Sequence, residues 1–319
     1  MKARTEAFPT SRGFVCALGF AAASFGTGGC STPPSDRYYW GSYEACVGGA
    51  CLDPRPELLQ EGIRRISHDL EKASVRGLPV PPGEHAFLGY LHALSGDPAA
   101  AAIEYAAEAE LYPESQAFVD RLLERGEVER EVHFERVPRS ILVLPPLGET
   151  PAAQAPCQWL ASITRPLAEQ GYYVFPVVLA GAILAQDGSP TPREMHRVPL
   201  EDLRRRFGAD AVLYATLEEW GTSYGLLTSE TRVSVRARLV DAETGAEVWQ
   251  GESTAVDDAK SGNQNGLGGM LGTALVSEGP LETLDPAPAL ARRANREMIR
   301  DRARGLPLGP RHPDFAKSP

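Results

Sequence analysis

Cys46 and Cys51, spaced as Cys-Val-Gly-Gly-Ala-Cys, have the residue type and spacing best suited to covalent or coordination chemistry. Two cysteines flanking a short glycine-rich stretch can close a small loop by a disulfide, which is sensible only in an oxidising compartment. The same spacing is half of a zinc site, but no second Cys or His pair follows at ligand spacing, so a disulfide is expected ahead of metal or of unpaired thiols. Cys157 with any of the 6 histidines would make a thiol–imidazole dyad. It has no local signature of a nucleophile and reads first as a small buried hydrophobe. His85 and His92 lie two helical turns apart, a packing arrangement more often than a metal one. No serine stands in a Gly-x-Ser-x-Gly elbow, and the glycines of 262–272 lack the Gly-Lys-Ser/Thr of a phosphate loop. Glu218 and Glu219 alternate across a strand end and cannot face one another as an acid and base. The expectation is a non-enzyme with no catalytic, cofactor or metal residues.

A formal net charge of -10 excludes a nucleic-acid binder of the usual kind, which needs a concentrated basic footprint. Lys2, Arg4 and Arg12 precede an apolar stretch from Gly13 to Phe25, and Gly26, Thr27, Gly28 and Gly29 lead into Cys30. That is the layout of a secretory leader, too short in its apolar part for a comfortable membrane span. Small residues immediately before a cysteine resemble the lipobox of bacterial lipoproteins, with Thr27 where that pattern usually has Leu. The resemblance implies diacylation (palmitate-type lipid) of Cys30. Ser31 in place of Asp implies sorting to the outer membrane, with the protein on the periplasmic face. The alternative is an ordinary signal peptide with an incidental cysteine. The polar, turn-rich stretch from Ser31 to Asp36 reads as a tether. Tyr38, Tyr39, Trp40 and Tyr43 follow it and offer a partner or headgroup surface, together with Trp220 and Tyr224. They serve equally well to cover the first helix pair.

These residues require a helical region and a sheet to hold them. Leu58, Ile63, Ile66 and Leu70 recur at helical spacing before Gly77 and the prolines 79, 81 and 82 break the pattern. A second pair follows, with small residues at a helix crossing, a Gly96-Asp97 turn and a closing Pro113, similar to one tetratricopeptide unit. A later helix is expected over 115–124. Ile141 to Leu144 suits a buried strand, 152–170 a helix, 172–178 a strand, 200–207 a helix and 211–219 a strand. Val233, Val235, Ala237 and Leu239 alternate with Arg232, Ser234, Arg236 and Arg238, and Asp241 to Gly245 turns the chain into a partner strand from 247. Beyond Val256 lie a glycine-rich stretch, with an apolar part over 262–276 suited to a partner or membrane surface or to a plain linker, then an arginine-rich helix from 287 and a proline-laden tail.

The runs Ser140-Ile-Leu-Val-Leu-Pro-Pro146, Pro166 to Pro176, Phe207-Gly-Ala-Asp-Ala211 and Trp220-Gly-Thr-Ser-Tyr224 resemble a bacterial lipoprotein family, domain-of-unknown-function family 799, whose fold is similar to the amino-terminal domain of TolB and to the curli-secretion lipoprotein CsgG. Tyr38-Tyr-Trp-Gly-Ser-Tyr43, Pro81-Pro-Gly-Glu-His-Ala86 and Tyr112-Pro-Glu-Ser115 resemble a second, smaller lipoprotein family, domain-of-unknown-function family 4810. The two resemblances imply a fusion of proteins usually found as neighbours beside a CsgG-like lipoprotein.

The expected class is α+β and multi-domain. Residues 1–29 are a lipoprotein signal peptide, 30–53 a lipidated tether and Cys loop, 54–126 an all-α tetratricopeptide-like domain and 127–138 a linker. Residues 139–257 form an α/β TolB-like domain ending in a β-hairpin, and 258–319 a glycine-rich segment, helix and disordered tail. The function implied is a non-catalytic adaptor of an outer-membrane assembly or secretion complex, with protein partners in the envelope. The alternatives are a binder of small ligands or cell-wall fragments and a Cys157-dependent enzyme.

Overall fold

The computed structural model describes residues 36–53, 55–123, 137–150, 152–224, 228–260, 285–301 and 303–317. Cys30, the tether and the apolar stretch 262–276 lie outside the described residues.

The chain first builds helices α1 (Tyr43–Leu52), α2 (Pro56–Arg76), α3 (Glu84–Leu94), α4 (Pro98–Leu111) and α5 (Gln116–Leu122). α2 turns Leu59, Ile66 and Ala73 inward and stops at Gly77, whose φ of 63° suits a residue without Cβ. α3 and α4 cross closely because Gly89 has no side chain: a Cβ there would lie 2.7 Å from the ring of Tyr105. Asp97 caps α4 by accepting from the backbone N–H of Ala100 at 3.0 Å. The Gly-Asp turn and the helical hairpin expected from the sequence are therefore present.

The second part contains β1 (Ser140–Val143), α6 (Ala155–Glu169), β2 (Tyr173–Val174), α7 (Val177–Gln186), α8 (Pro192–Met195), α9 (Leu200–Phe207), β3 (Ala211–Tyr224), β4 (Thr228–Asp241), β5 (Glu247–Lys260) and α10 (Ala287–Arg300). The strands form one sheet in the order β2-β1-β3-β4-β5. β1 runs parallel to β2 and β3, whereas β3, β4 and β5 are successively antiparallel. On β4 the alternating apolar set Val233, Val235, Ala237 and Leu239 is buried. It faces α6 and α10, and the arginines of the opposite set face out.

Three expectations change. The Cys46–Cys51 stretch is helix α1 rather than a loop. The strand expected over 172–178 is only two residues long and gives way to α7, because a short apolar run does not itself distinguish strand from buried helix. The tail is not loose. The backbone N–H of Gly309 donates to Gln170 O at 2.8 Å, that of Arg311 to Gly171 O at 3.0 Å, and the Tyr172 hydroxyl donates to Pro307 O at 2.9 Å. Gly309 and Gly171 are needed at that approach, since a Cβ on Gly309 would lie 2.5 Å from Gly171 O.

The helical part and the sheet share their cores. One apolar cluster joins Tyr43, Ile66 and Phe87 to Trp159, Val235 and Met298; the other joins Tyr105 and Phe118 to Phe175, Phe207 and Tyr214. The described residues from Asp36 onward therefore pack as one unit.

Candidate functional site

The aromatic residues after the tether do not form an open partner surface. Tyr38 and Trp40 are 6% exposed and Tyr43 2%, and Tyr39 is half-buried under the guanidinium of Arg76. The reason is a buried acceptor: Glu169, at the end of α6, takes the indole N–H of Trp40 at 2.7 Å and the backbone N–H of Arg37 at 3.0 Å. Trp40 then packs on Tyr43, and Tyr43 meets Phe87 edge-on with ring centres 5.7 Å apart. Trp220 is also buried and its indole nitrogen has no hydrogen-bond partner among the described residues. The side chain of Tyr224 lies outside the described residues. Trp40 and Tyr43 thus hold the first helices onto α6.

The cysteine pairing also differs from expectation. Cys51 is bonded to Cys157, with Cα atoms 5.7 Å apart, and Cys46 is free. Residues five apart on an α-helix have Cα atoms roughly 8.7 Å apart and point to different sides, beyond the reach of a disulfide. Cys51 instead faces the first turn of α6. Burial pushes the Cys46 thiol up to about 12, so it is protonated and unreactive at neutral pH. Cys157, bridged, has no thiolate with which to act as a nucleophile.

Around α3 three carboxyls are buried. Glu108 accepts from the backbone N–H groups of Gly83 at 2.8 Å and Ala86 at 3.2 Å, and Asp69 accepts from that of Ser42 at 2.5 Å. Glu84 is 1% exposed and its Oε1 has no hydrogen-bond partner among the described residues. Burial first, then the Asp69 and Glu108 carboxyls, hold its pKa well above the usual carboxylate range. A carboxyl whose folded pKa is raised favours the fold below the ordinary pKa near 4.5, and that contribution is lost as pH rises toward the folded value. Glu84→Gln is therefore expected to raise stability at neutral pH, where the amide avoids burying a charge, and to leave it little changed near pH 4, where the carboxyl is protonated and as neutral as the amide. Thermal melts across pH test this; a variant less stable than the parent at pH 7 would show that the carboxylate is needed.

His85 and His92 both lie on α3. His85 Nδ1 sits 2.7 Å from Glu104 Oε2, joining α3 to α4, and His92 is half-buried. A register shift between Leu217 and Glu219 exposes both glutamates, so simple alternation does not describe them. Glu218 pairs with Arg236 at 2.9 Å and Glu219 with Arg232 at 3.4 Å, and the two do not work as one carboxylate pair. Among the described residues no three His, Cys, Asp or Glu side chains group so as to hold a metal. No described helix is long and apolar enough to cross a membrane. A cleft of about 840 Å³ opens between β5 and the end of α10, with Arg236, Gln250, Glu252, Glu297, Met298 and Arg304 among its walls.

The described residues thus form an α+β protein whose helical part and sheet are joined by a disulfide, with an arginine-faced helix α10 and a cleft beside β5. Residues 132–311 match the family "Putative lipoprotein GNA1162-like", and the chain belongs to that family. The match takes in α10 and the docked tail. Residues 37–122 match the domain of unknown function DUF4810. A relative, "Putative lipoprotein NMB1124/NMB1162" of Neisseria meningitidis serogroup B, is 44% identical over 144 residues, which is 45% of this chain and 66% of the relative's length. The crystal structure of lipoprotein GNA1162 from Neisseria meningitidis is 45% identical, covering 44% of this chain and 96% of that one at a TM-score of 0.37. A PelC dodecamer from Paraburkholderia phytofirmans is 16% identical, covering 53% of this chain and 94% of that one at a TM-score of 0.31.

Proposed function

We propose that this protein is a non-catalytic lipoprotein, diacylated on Cys30 and held on the periplasmic face of the outer membrane. There it serves as an adaptor or accessory subunit of an assembly or secretion complex with a CsgG-like lipoprotein. The observation that carries this reading is the Cys51–Cys157 bridge, chemistry of an oxidising compartment, in a chain of a lipoprotein family. The reading is supported by the shared cores, which make the helical hairpin (tetratricopeptide-like in this reading) and the TolB-like sheet one rigid presenter. Affinity purification from detergent-solubilised envelopes, followed by mass spectrometry, tests it. A reproducible CsgG-like partner is the expected result, and recovery of the protein alone argues against an adaptor.

Anchoring has its own test. No described helix can span a bilayer, so Cys30→Ser is expected to lose its acyl label and to be released from membranes by a carbonate or high-salt wash. Retention of that variant in membranes after a carbonate wash would show that lipid is not the main anchor.

The cleft beside β5 favours a second reading, a binder of small ligands or cell-wall fragments. Soluble peptidoglycan fragments would then raise the melting temperature in a concentration-dependent way.

A further inference from the structure

α10 turns its apolar side, with Leu290, Ala294, Met298 and Ile299, into the core. Its outer side is basic. Residues 287–304 contain six arginines against Glu297 and Asp301, in a chain whose net charge is -10. Arg292, Arg293, Arg296 and Arg300 are exposed along the helix, and Arg304 follows the turn capped by Asp301. Arg292 pairs with Glu44 at 3.0 Å, and Arg293 approaches Glu297 at 3.7 Å and donates to Val256 O. Arg296, Arg300 and Arg304 have no ion pair among the described residues.

Complementing the helix dipole accounts for Arg300 in the last turn, but not for Arg292, Arg293 or Arg296 further up the helix. The charges do not converge on a point, as they would for a single bound anion. From Arg292 to Arg300 they run about 12 Å along a convex helix. We propose that this face docks on the anionic phosphates of a membrane surface, with lipid headgroups as its occupant. Because the apolar side of α10 is committed to the core, the contact is electrostatic and peripheral, without insertion of the helix, and must weaken with salt. It does not depend on acylation of Cys30, so its test is separate from that of the anchor.

The full chain carrying Cys30→Ser is mixed with sedimenting vesicles of phosphatidylcholine, alone or with one part in three of phosphatidylglycerol. The expected result is binding to the anionic vesicles only, reversed by high salt. Replacing Arg296, Arg300 and Arg304 with Gln should weaken that binding roughly a hundredfold, about fivefold per arginine. A control that removes the same charge elsewhere, Arg193→Gln with Arg197→Gln and Arg205→Gln, should change it far less. If the triple variant fails to fold, Arg296→Gln alone should still cost about fivefold. Equal losses in both triple variants, equal binding to neutral vesicles, or no binding to anionic vesicles would each overturn the proposal.

Discussion

Removing the Cys51–Cys157 bridge is expected to cost about 4–5 kcal/mol of folding stability. The bonded residues are 106 apart in the chain, and in the chain-entropy account a loop of that length removes about this much disorder from the unfolded state. The bridge joins α1 to the first turn of α6, so it fastens the helical part to the sheet-covering helix. Denaturant titrations of the parent protein, with and without reductant, and of Cys51→Ala with Cys157→Ala measure the effect. Both reduced and substituted forms should unfold at clearly lower denaturant. Thiol labelling of the native, unreduced protein should find neither Cys51 nor Cys157 and only slow reaction at Cys46, whose burial holds the thiol protonated. A loss below about 1 kcal/mol would mean that the unfolded chain is already compact where the bridge acts.

That pairing was not legible in the sequence, and the reason is physical. Cys46 and Cys51 are near neighbours along the chain, but helical geometry separates their side chains, whereas Cys51 and Cys157 meet only after α1 has packed on α6. The α1 helix itself was obscured by Gly48 and Gly49, which weaken helix propensity; Gly48 sits close to α6, where a Cβ would lie 3.7 Å from that of Ala161. The elements that were legible carry strong local periodicity. Val233 to Leu239 alternate as a half-buried strand must, and 200–207 has helix-forming charges bounded by Pro199 and Gly208. Thr191 and Glu194 have the spacing of a capping box, and both of its hydrogen bonds form in α8, so that element too had a local signal. The docked tail had none. Two of its docking bonds run between backbone groups, and the others join side chains to partners far away in the chain, such as Arg311 to Glu114 and Tyr172 to Pro307 O, so no local pattern records them.

The aromatic run from Tyr38 to Tyr43 marks the same limit for the candidate site. Aromatic residues after a polar tether look alike whether they meet a partner or their own core. What decides between the two is Glu169, more than a hundred residues away, whose buried carboxylate needs the Trp40 indole and the Arg37 amide. The basic face of α10, by contrast, was visible in composition, and only the structure shows which of its arginines pair with carboxylates among the described residues.

α10 is also the place for the second large effect, at the one polar side chain on its buried side. Asn295 is fully buried; it accepts from the indole N–H of Trp159 at 3.0 Å and donates to Ser162 Oγ at 2.8 Å. The Ser162 hydroxyl in turn donates to Trp159 O at 2.8 Å, so the three side chains form one closed polar patch between α10 and α6. Asn295→Ala leaves the indole N–H and the serine oxygen each short of a partner in an apolar setting, at about 1–3 kcal/mol apiece, and the expected loss is about 2–5 kcal/mol. Trp159→Phe removes the donor and leaves Asn295 Oδ1 unpaired, so it should also destabilise. The double variant should lose less than the sum of the two singles by about 1–2 kcal/mol, because the second change removes a group already orphaned by the first. Urea titrations of the four proteins give that coupling directly. Strict additivity would mean that α10 is held to α6 by apolar contact alone, with the asparagine contributing no specific bond.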